Sequence, residues 1–341
     1  MKKFTGYTHG INLGGWLSQC DHTTDRYENF IKEEDIKTIA SWGLDHIRVP
    51  VDYDLVETAD GEYTDGFKYI DRALEWAGKY GLNMVLDLHK TFGYSFDDGE
   101  NEEGFFENES YQERFYKLWE EFARRYGKYH DRLCFELLNE VTKKEYCETW
   151  NRIAHKCIDK ILAIAPDVDI LLGGYYNNSI EALKDLEKPW NEHIIYNFHF
   201  YEPLIFTHQG GYWVEGMNVD FRMPFASSYA DYSKFTEENT AQHSQGYADF
   251  DQNAMMDAEY FKRRIGEAVE VARERDVALY CGEYGVIDLA EPEDRLAWFE
   301  TVCGVFDEYD ICRAAWSYKE MDFGLVDKCM DSVRDKLVKI L

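Results

Sequence analysis

The sequence of 341 residues has no run of 18 apolar residues, so nothing in it reads as a membrane span. No G-x-G-x-x-G or G-x-x-x-x-G-K-[ST] occurs, which removes the usual phosphate-cradling turns of dinucleotide-binding and P-loop folds. The eight cysteines form no C-x-x-C pair, so zinc-ribbon and thioredoxin-type sites lack support. There is no H-E-x-x-H and no clustered ligand spacing, so no metal site is expected and no cofactor is called for. Positive charge is scarce: 37 Lys+Arg stand against 66 Asp+Glu, a formal charge of -29. Such a chain repels nucleic-acid phosphates and anionic lipid, which disfavours both as partners and suits a neutral or cationic ligand. Internal repeats and low-complexity tracts are missing as well. Lys2 and Lys3 are followed by no apolar run, so no secretory signal is read. The expectation is a cytoplasmic, reducing location, or secretion if a leader has been removed.

What is there is an ordinary globular balance, 45% hydrophobic and 30% charged. Aromatic residues are 16% of the chain, with 9 Trp, 25 Tyr and 21 Phe, too much apolar surface for a disordered chain. Part of that must be core; the surplus supplies flat platforms for the apolar face of a ligand. Cys20, Cys134, Cys147, Cys157, Cys281, Cys303, Cys312 and Cys329 are widely spread, and neighbours such as Leu133 and Phe135 suggest small buried thiols. An even count permits disulfides, but a chain of this size does not need them.

Short β-rich runs alternate with helical patterns. Strands are expected at residues 8–13, 45–49, 84–89, 133–139, 169–173, 194–201, 278–283 and 313–318. Several are continuous apolar runs, as strands buried on both faces should be. Between them, 33–42, 67–80, 109–126, 146–165, 257–275 and 292–309 carry apolar residues at helical spacing. Eight such units predict an α/β fold, a (β/α)8 TIM barrel spanning 1–341 as one domain. An open doubly wound sheet is the alternative. The sixth and seventh strands start about 84 residues apart, where one barrel unit typically needs fewer than half that. Residues 203–256 therefore read as an inserted subdomain, either a lid over the barrel mouth or a spacer or dimer surface. A second irregular stretch, 91–108, follows the third strand.

Barrels of this kind carry their reactive groups at the C-terminal strand ends, where the loops form the open concavity. There the sequence places Arg48 on the second strand, His89 on the third, Asn139 and Glu140 on the fourth, His199 and Tyr201 on the sixth, Glu283 on the seventh and Trp316 on the eighth. Each alone has a bland reading as an ion pair, a rim histidine, a solvated acid or a core indole. Together, at one end of different strands, they read as an active site. Glu140 and Glu283 can divide acid and nucleophile roles. Carboxyl groups about 5–5.5 Å apart would let one attack an anomeric carbon while the other protonates the departing oxygen, whereas about 6.5–9.5 Å would leave room for water and invert the centre. Tyr201 and Arg48 are placed to keep Glu283 anionic, while Glu140 lacks an obvious cation and more easily holds a proton. His199 can bond with either. Asn139 suits a sugar 2-hydroxyl, and Trp316 a stacking floor.

At these residues the sequence resembles glycoside hydrolase family 5, in the clan of retaining (β/α)8 glycosidases. The matching stretches are G-I-N-L-G-G-W at 10–16, H-I-R-V-P at 46–50, L-D-L-H at 86–89, F-E-L-L-N-E at 135–140, N-F-H-F-Y at 197–201, G-E-Y-G-V at 282–286 and A-W-S-Y-K at 315–319. They run from the first strand to the last. Within the family the chain looks most like the signal-less clostridial endoglucanase C type, which also carries a large insertion after its sixth strand. The resemblance implies Glu140 as acid/base and Glu283 as nucleophile. It matches Arg48, His89, Asn139, His199, Tyr201 and Trp316 to the remaining active-site positions. Lys90 departs from that type, which often has a second histidine there. The implied substrate is a β-1,4 or mixed β-1,3/1,4-glucan, as oligo- or polysaccharide, hydrolysed by a retaining endo-β-glucanase with no obligatory protein partner. An exo-acting β-1,3-glucanase or β-glucosidase, a β-mannanase, a metal-dependent hydrolase and a non-catalytic carbohydrate-binding barrel are the alternatives.

Overall fold

A computed structural model describes residues 1–97, 99–100, 102–241 and 246–341. Eight strands appear in order: β1 (His9–Asn12), β2 (His46–Asp52), β3 (Asn83–Lys90), β4 (Leu133–Glu136), β5 (Ile170–Leu172), β6 (Ile194–Phe200), β7 (Ala278–Tyr284) and β8 (Cys312–Ala315). Each pairs in parallel with the next, and β8 closes on β1 through His9 opposite Arg313. The closed ring excludes the open doubly wound sheet. The strands are buried on both faces, because side chains fill the barrel inside and helices cover it outside. This is why their sequences read as continuous apolar runs.

The covering helices obey the same logic. Phe67–Lys79 buries Phe67, Ile70, Ala73, Leu74 and Ala77, the single stripe that a 3.6-residue period presents to the sheet. Glu109–Tyr126 starts where Asn108 accepts a hydrogen bond from the Ser110 amide, satisfying one of the orphan donors of the first turn. Between β5 and β6 the cover is only a 3-10 segment, Ile180–Asp185.

Three strands end three residues away from expectation. β2 runs on past Arg48 to Asp52. β4 stops at Glu136, and its ladder continues only through single bonds such as Asn139 N–H to the Leu88 carbonyl at 3.0 Å. β8 stops one residue before Trp316, whose amide still reaches the Tyr284 carbonyl at 2.9 Å. All eight cysteines are free; Cys134, Cys157, Cys281, Cys303 and Cys312 are buried as expected, whereas Cys20 and Cys147 are half-buried and Cys329 is exposed.

Among the described residues of the 203–256 segment are a short helix, Leu204–Thr207, a longer one, Tyr229–Asn239, and a bridge between Ser228 and Met255. Its core is aromatic: Phe225, Tyr229, Tyr232 and Tyr247 pack against Tyr260 and Phe261 of the helix Ala258–Arg275. Residues 242–245 of this segment, and 98 and 101 of the 91–108 stretch, lie outside the described residues.

Candidate active site

The barrel interior near its C-terminal end is built around one guanidinium. Arg48 on β2 is fully buried, and five side chains accept from it or pair with it. Its Nε and Nη2 grip Glu136 at 2.6 and 2.8 Å. Nη1 donates to Asn12 Oδ1 and Glu283 Oε1, both at 2.8 Å. Nη2 also reaches Asn139 Oδ1 at 2.9 Å and Asp87 Oδ2 at 3.0 Å. Burial opposes its charge, but Asp87, Glu136 and Glu283 more than restore it. Burial in turn pushes the Asp87 carboxyl up to about 7, with Arg48 pulling the other way.

Above this layer stand the two glutamates. Glu283, on β7, accepts from Arg48 on one oxygen and from the Tyr201 hydroxyl on the other, each at 2.8 Å. Glu140, in the loop after β4, accepts from His199 Nδ1 at 2.6 Å and from Asn177 Nδ2 at 2.8 Å. Burial raises the Glu140 carboxyl above its usual range; Asn177, His89 and Arg48 act against the shift. His199 Nδ1 also lies 3.6 Å from Glu283 Oε2, so one imidazole sits between the two acids. Burial pushes that imidazole down to about 4, which leaves it neutral. Its Nε2 faces the Asn178 amide at 3.3 Å, which fits a proton on Nδ1. Single oxygens of Glu140 and Glu283 lie within 4.8 Å of each other and of a His199 nitrogen.

The remaining predicted residues close the ring. His89 donates to or accepts from Asp87 at 2.6 Å and lies parallel to Trp316, ring centres 5.8 Å apart and planes within 2°. A Cβ at Gly14 would come within 2.8 Å of the Trp316 ring, so the first glycine of the 14–15 pair makes room for that indole. Asn139 keeps its Nδ2 without a hydrogen-bond partner, although buried. All eight predicted residues thus converge on one end of the barrel.

Sequence reasoning missed several supports. Asn12, inside the G-I-N-L-G-G-W stretch, donates to the Gly282 carbonyl at 2.9 Å while accepting from Arg48. Asn197 bridges Glu136 and the Gly282 amide. Tyr94, from the irregular 91–108 stretch, donates to the Glu140 carbonyl at 2.7 Å and accepts from the Thr142 amide. It clamps a backbone that is left-handed at Glu140, φ 42°. Asn177 and Asn178 belong to a loop after β5 in which Tyr176, Asn177 and Asn178 are all left-handed, φ 50°, 58° and 55°. That conformation costs about 1–2 kcal/mol per ordinary residue and is held only where surroundings over-determine it.

Among the described residues, two groups of side chains have the spacing of cation ligands. Glu140, His199 and Glu283 are already satisfied by one another and by Arg48. Around His22, Asp52 and Asp54, the Lys90 ammonium supplies the positive charge, 3.8 Å from Asp52 and 3.3 Å from Asp54, and reaches Glu100 at 3.1 Å.

Residues 9–322 match the pattern of the cellulase family, glycosyl hydrolase family 5. The chain belongs to that family. It is 46% identical over 314 residues to cellodextrinase A of Ruminococcus flavefaciens, covering 92% of this chain and 86% of that protein. It is 38% identical over 337 residues to endoglucanase C of Acetivibrio thermocellus, covering 97% of each. Among solved structures, Cel5A of Thermotoga maritima in complex with mannotriose superposes with a TM-score of 0.77 at 25% identity, over 98% of this chain and 97% of that one. The family membership makes the protein a glycoside hydrolase on a TIM barrel.

Proposed function

We propose that the protein is a retaining endo-β-glucanase acting on β-1,4 or mixed β-1,3/1,4-glucans, with Glu283 as nucleophile and Glu140 as acid/base. The observation that carries this reading is the pair of glutamate oxygens within 4.8 Å, bridged by one neutral imidazole. So short an approach supports direct attack over the wider carboxyl separation, about 6.5–9.5 Å, that an inverting enzyme uses. The likeness to a cellodextrinase and an endoglucanase supports a β-glucan substrate.

In the first step a Glu283 oxygen attacks the anomeric carbon, and the bond from that carbon to the glycosidic oxygen breaks. Glu140 gives its proton to the departing oxygen. Its raised proton affinity fits this task, and the Glu283 oxygens, fixed by Arg48 and Tyr201, are held in line for attack. In the second step Glu140, now ionised, takes a proton from water, the water oxygen bonds to the anomeric carbon, and Glu283 is released. The free Nδ2 of Asn139 is available to the sugar 2-hydroxyl, and Trp316 offers an apolar face to the ring.

Two residues of the 203–256 segment support a place for it beside this cleft. The ring of His208 lies 5.0 Å from that of Tyr201, and exposed Trp213 lies 6.1 Å from His208. In this reading the segment forms one wall of the substrate groove as a lid subdomain. Cleavage of a cello-oligosaccharide ladder tests the endo assignment: internal products at early times agree with it, and release of single glucose units from one end points to the exo alternative. Hydrolysis of mannan in preference to barley β-glucan would replace the substrate class.

A further inference from the structure

Each glutamate has its own pair of hydrogen-bond donors, and the pairs differ in kind. Glu283 takes a permanent cation, Arg48, and a hydroxyl that donates from Tyr201. Glu140 takes two neutral donors, His199 and Asn177. His199 and Arg48 also face Glu283, so neither acts on Glu140 alone. Asn177 is different: among the described residues its side chain hydrogen-bonds to Glu140 Oε2 alone, at 2.8 Å. It is placed there by the run of three left-handed residues after β5, which its own amide ties to the Val141 carbonyl at 3.1 Å, one residue beyond Glu140. Asn178, next in the run, faces His199 Nε2, with its side chain where a Cβ on Gly173 would sit. One strained turn therefore supports both of Glu140's donors.

We infer that Asn177 is a positioning residue for Glu140, holding Oε2 and favouring the ionised carboxyl that must act as base in the second step. The inference rests on the reading of Glu140 as acid/base. A neutral donor lowers the cost of the anion without forbidding the acid, which suits a group that is protonated in one half-reaction and ionised in the other. The charged and titratable groups facing Glu140 from the other elements are Arg48 of β2, Asp87 and His89 of β3, Tyr94 of the 91–108 stretch, His199 of β6, Tyr201 just after it and Glu283 of β7. None of these is altered by changing Asn177, so the effect of the amide can be isolated.

The test is the pH dependence of kcat/KM on a cello-oligosaccharide for the wild type, Asn177→Gly and Asn177→Asp. Glycine and aspartate both tolerate the left-handed backbone, so the turn is kept while the donor is lost. The basic limb reports the loss of the acid's proton from the free enzyme. It is expected to move up by about 0.5 to 1 pH unit in the glycine variant and further in the aspartate variant, where an anion faces an anion. KM should change less than kcat. An unmoved basic limb in both variants, whatever the loss of rate, overturns the inference, as does failure of both to fold. Glu140→Ala separates the two layers. If it spares cellodextrin hydrolysis, the acid/base reading fails. If it abolishes that hydrolysis but spares the first step on a dinitrophenyl cellobioside, read as the initial burst of dinitrophenolate from a leaving group that needs no acid, and the Asn177 variants are still unmoved, only the present inference fails.

Discussion

The same eight strands end in two different chemistries. At the N-terminal end the barrel is plugged by Phe4 and Tyr7, stacked at 4.3 Å, over Val85, Cys134, Leu171, Ile195, Tyr280 and Ala314. His46 is paired there, between Asp45 and the Tyr280 hydroxyl. A few residues further along the same strands the interior holds Arg48, Asp87, Glu136, Glu140 and Glu283. The first end spends its burial on apolar contact and returns stability. The second buries four carboxyl groups around one guanidinium and two imidazoles, His89 and His199, an arrangement that is costly to desolvate and worth keeping only for chemistry.

Substitutions at the two ends should therefore separate activity from stability. The largest expected effect is at the polar end: Glu283→Gln should lower kcat on barley β-glucan by on the order of 10^4-fold or more while substrate binding and thermal unfolding stay near wild type. Near-normal turnover would reject the nucleophile assignment. Next comes the apolar end, where Phe4→Ala should cost about 3 kcal/mol in denaturant unfolding. The folded fraction should keep the wild-type kcat; a loss of kcat in fully folded enzyme would mean the ends are coupled. Smallest is Tyr201→Phe, which removes one donor from Glu283 and should cost about 10- to 100-fold in kcat with little change in melting temperature. A variant that melts much earlier but turns over normally would show the hydroxyl to be structural.

The two ends were also unequally legible from sequence. Strand positions followed from apolar runs bounded by turns, and the residues closing them pointed at one rim because the barrel forces all C-terminal ends together. Arg48 and Tyr201 were readable as partners of Glu283 because they sit on regular strands or one residue past them. Glu140's partners were harder to read. Asn177 reaches it through three left-handed residues, and only the choice of asparagine at two of them hints at that backbone. Tyr94 comes from a stretch with no period at all, and it is the premature end of β4 at Glu136 that makes its clamp necessary. Lys90, a departure from the resembling type, is neutralised by Asp52, Asp54 and Glu100.

A 2-deoxy-2-fluoro cellobioside with a dinitrophenyl leaving group would test the central claim most directly, since it slows release of a glycosyl–enzyme ester more than its formation. Mass spectrometry of the digested protein is predicted to find one cellobiosyl adduct, on the peptide carrying Glu283. An adduct on another carboxylate, or no adduct together with a first product of inverted anomeric configuration, would contradict the account.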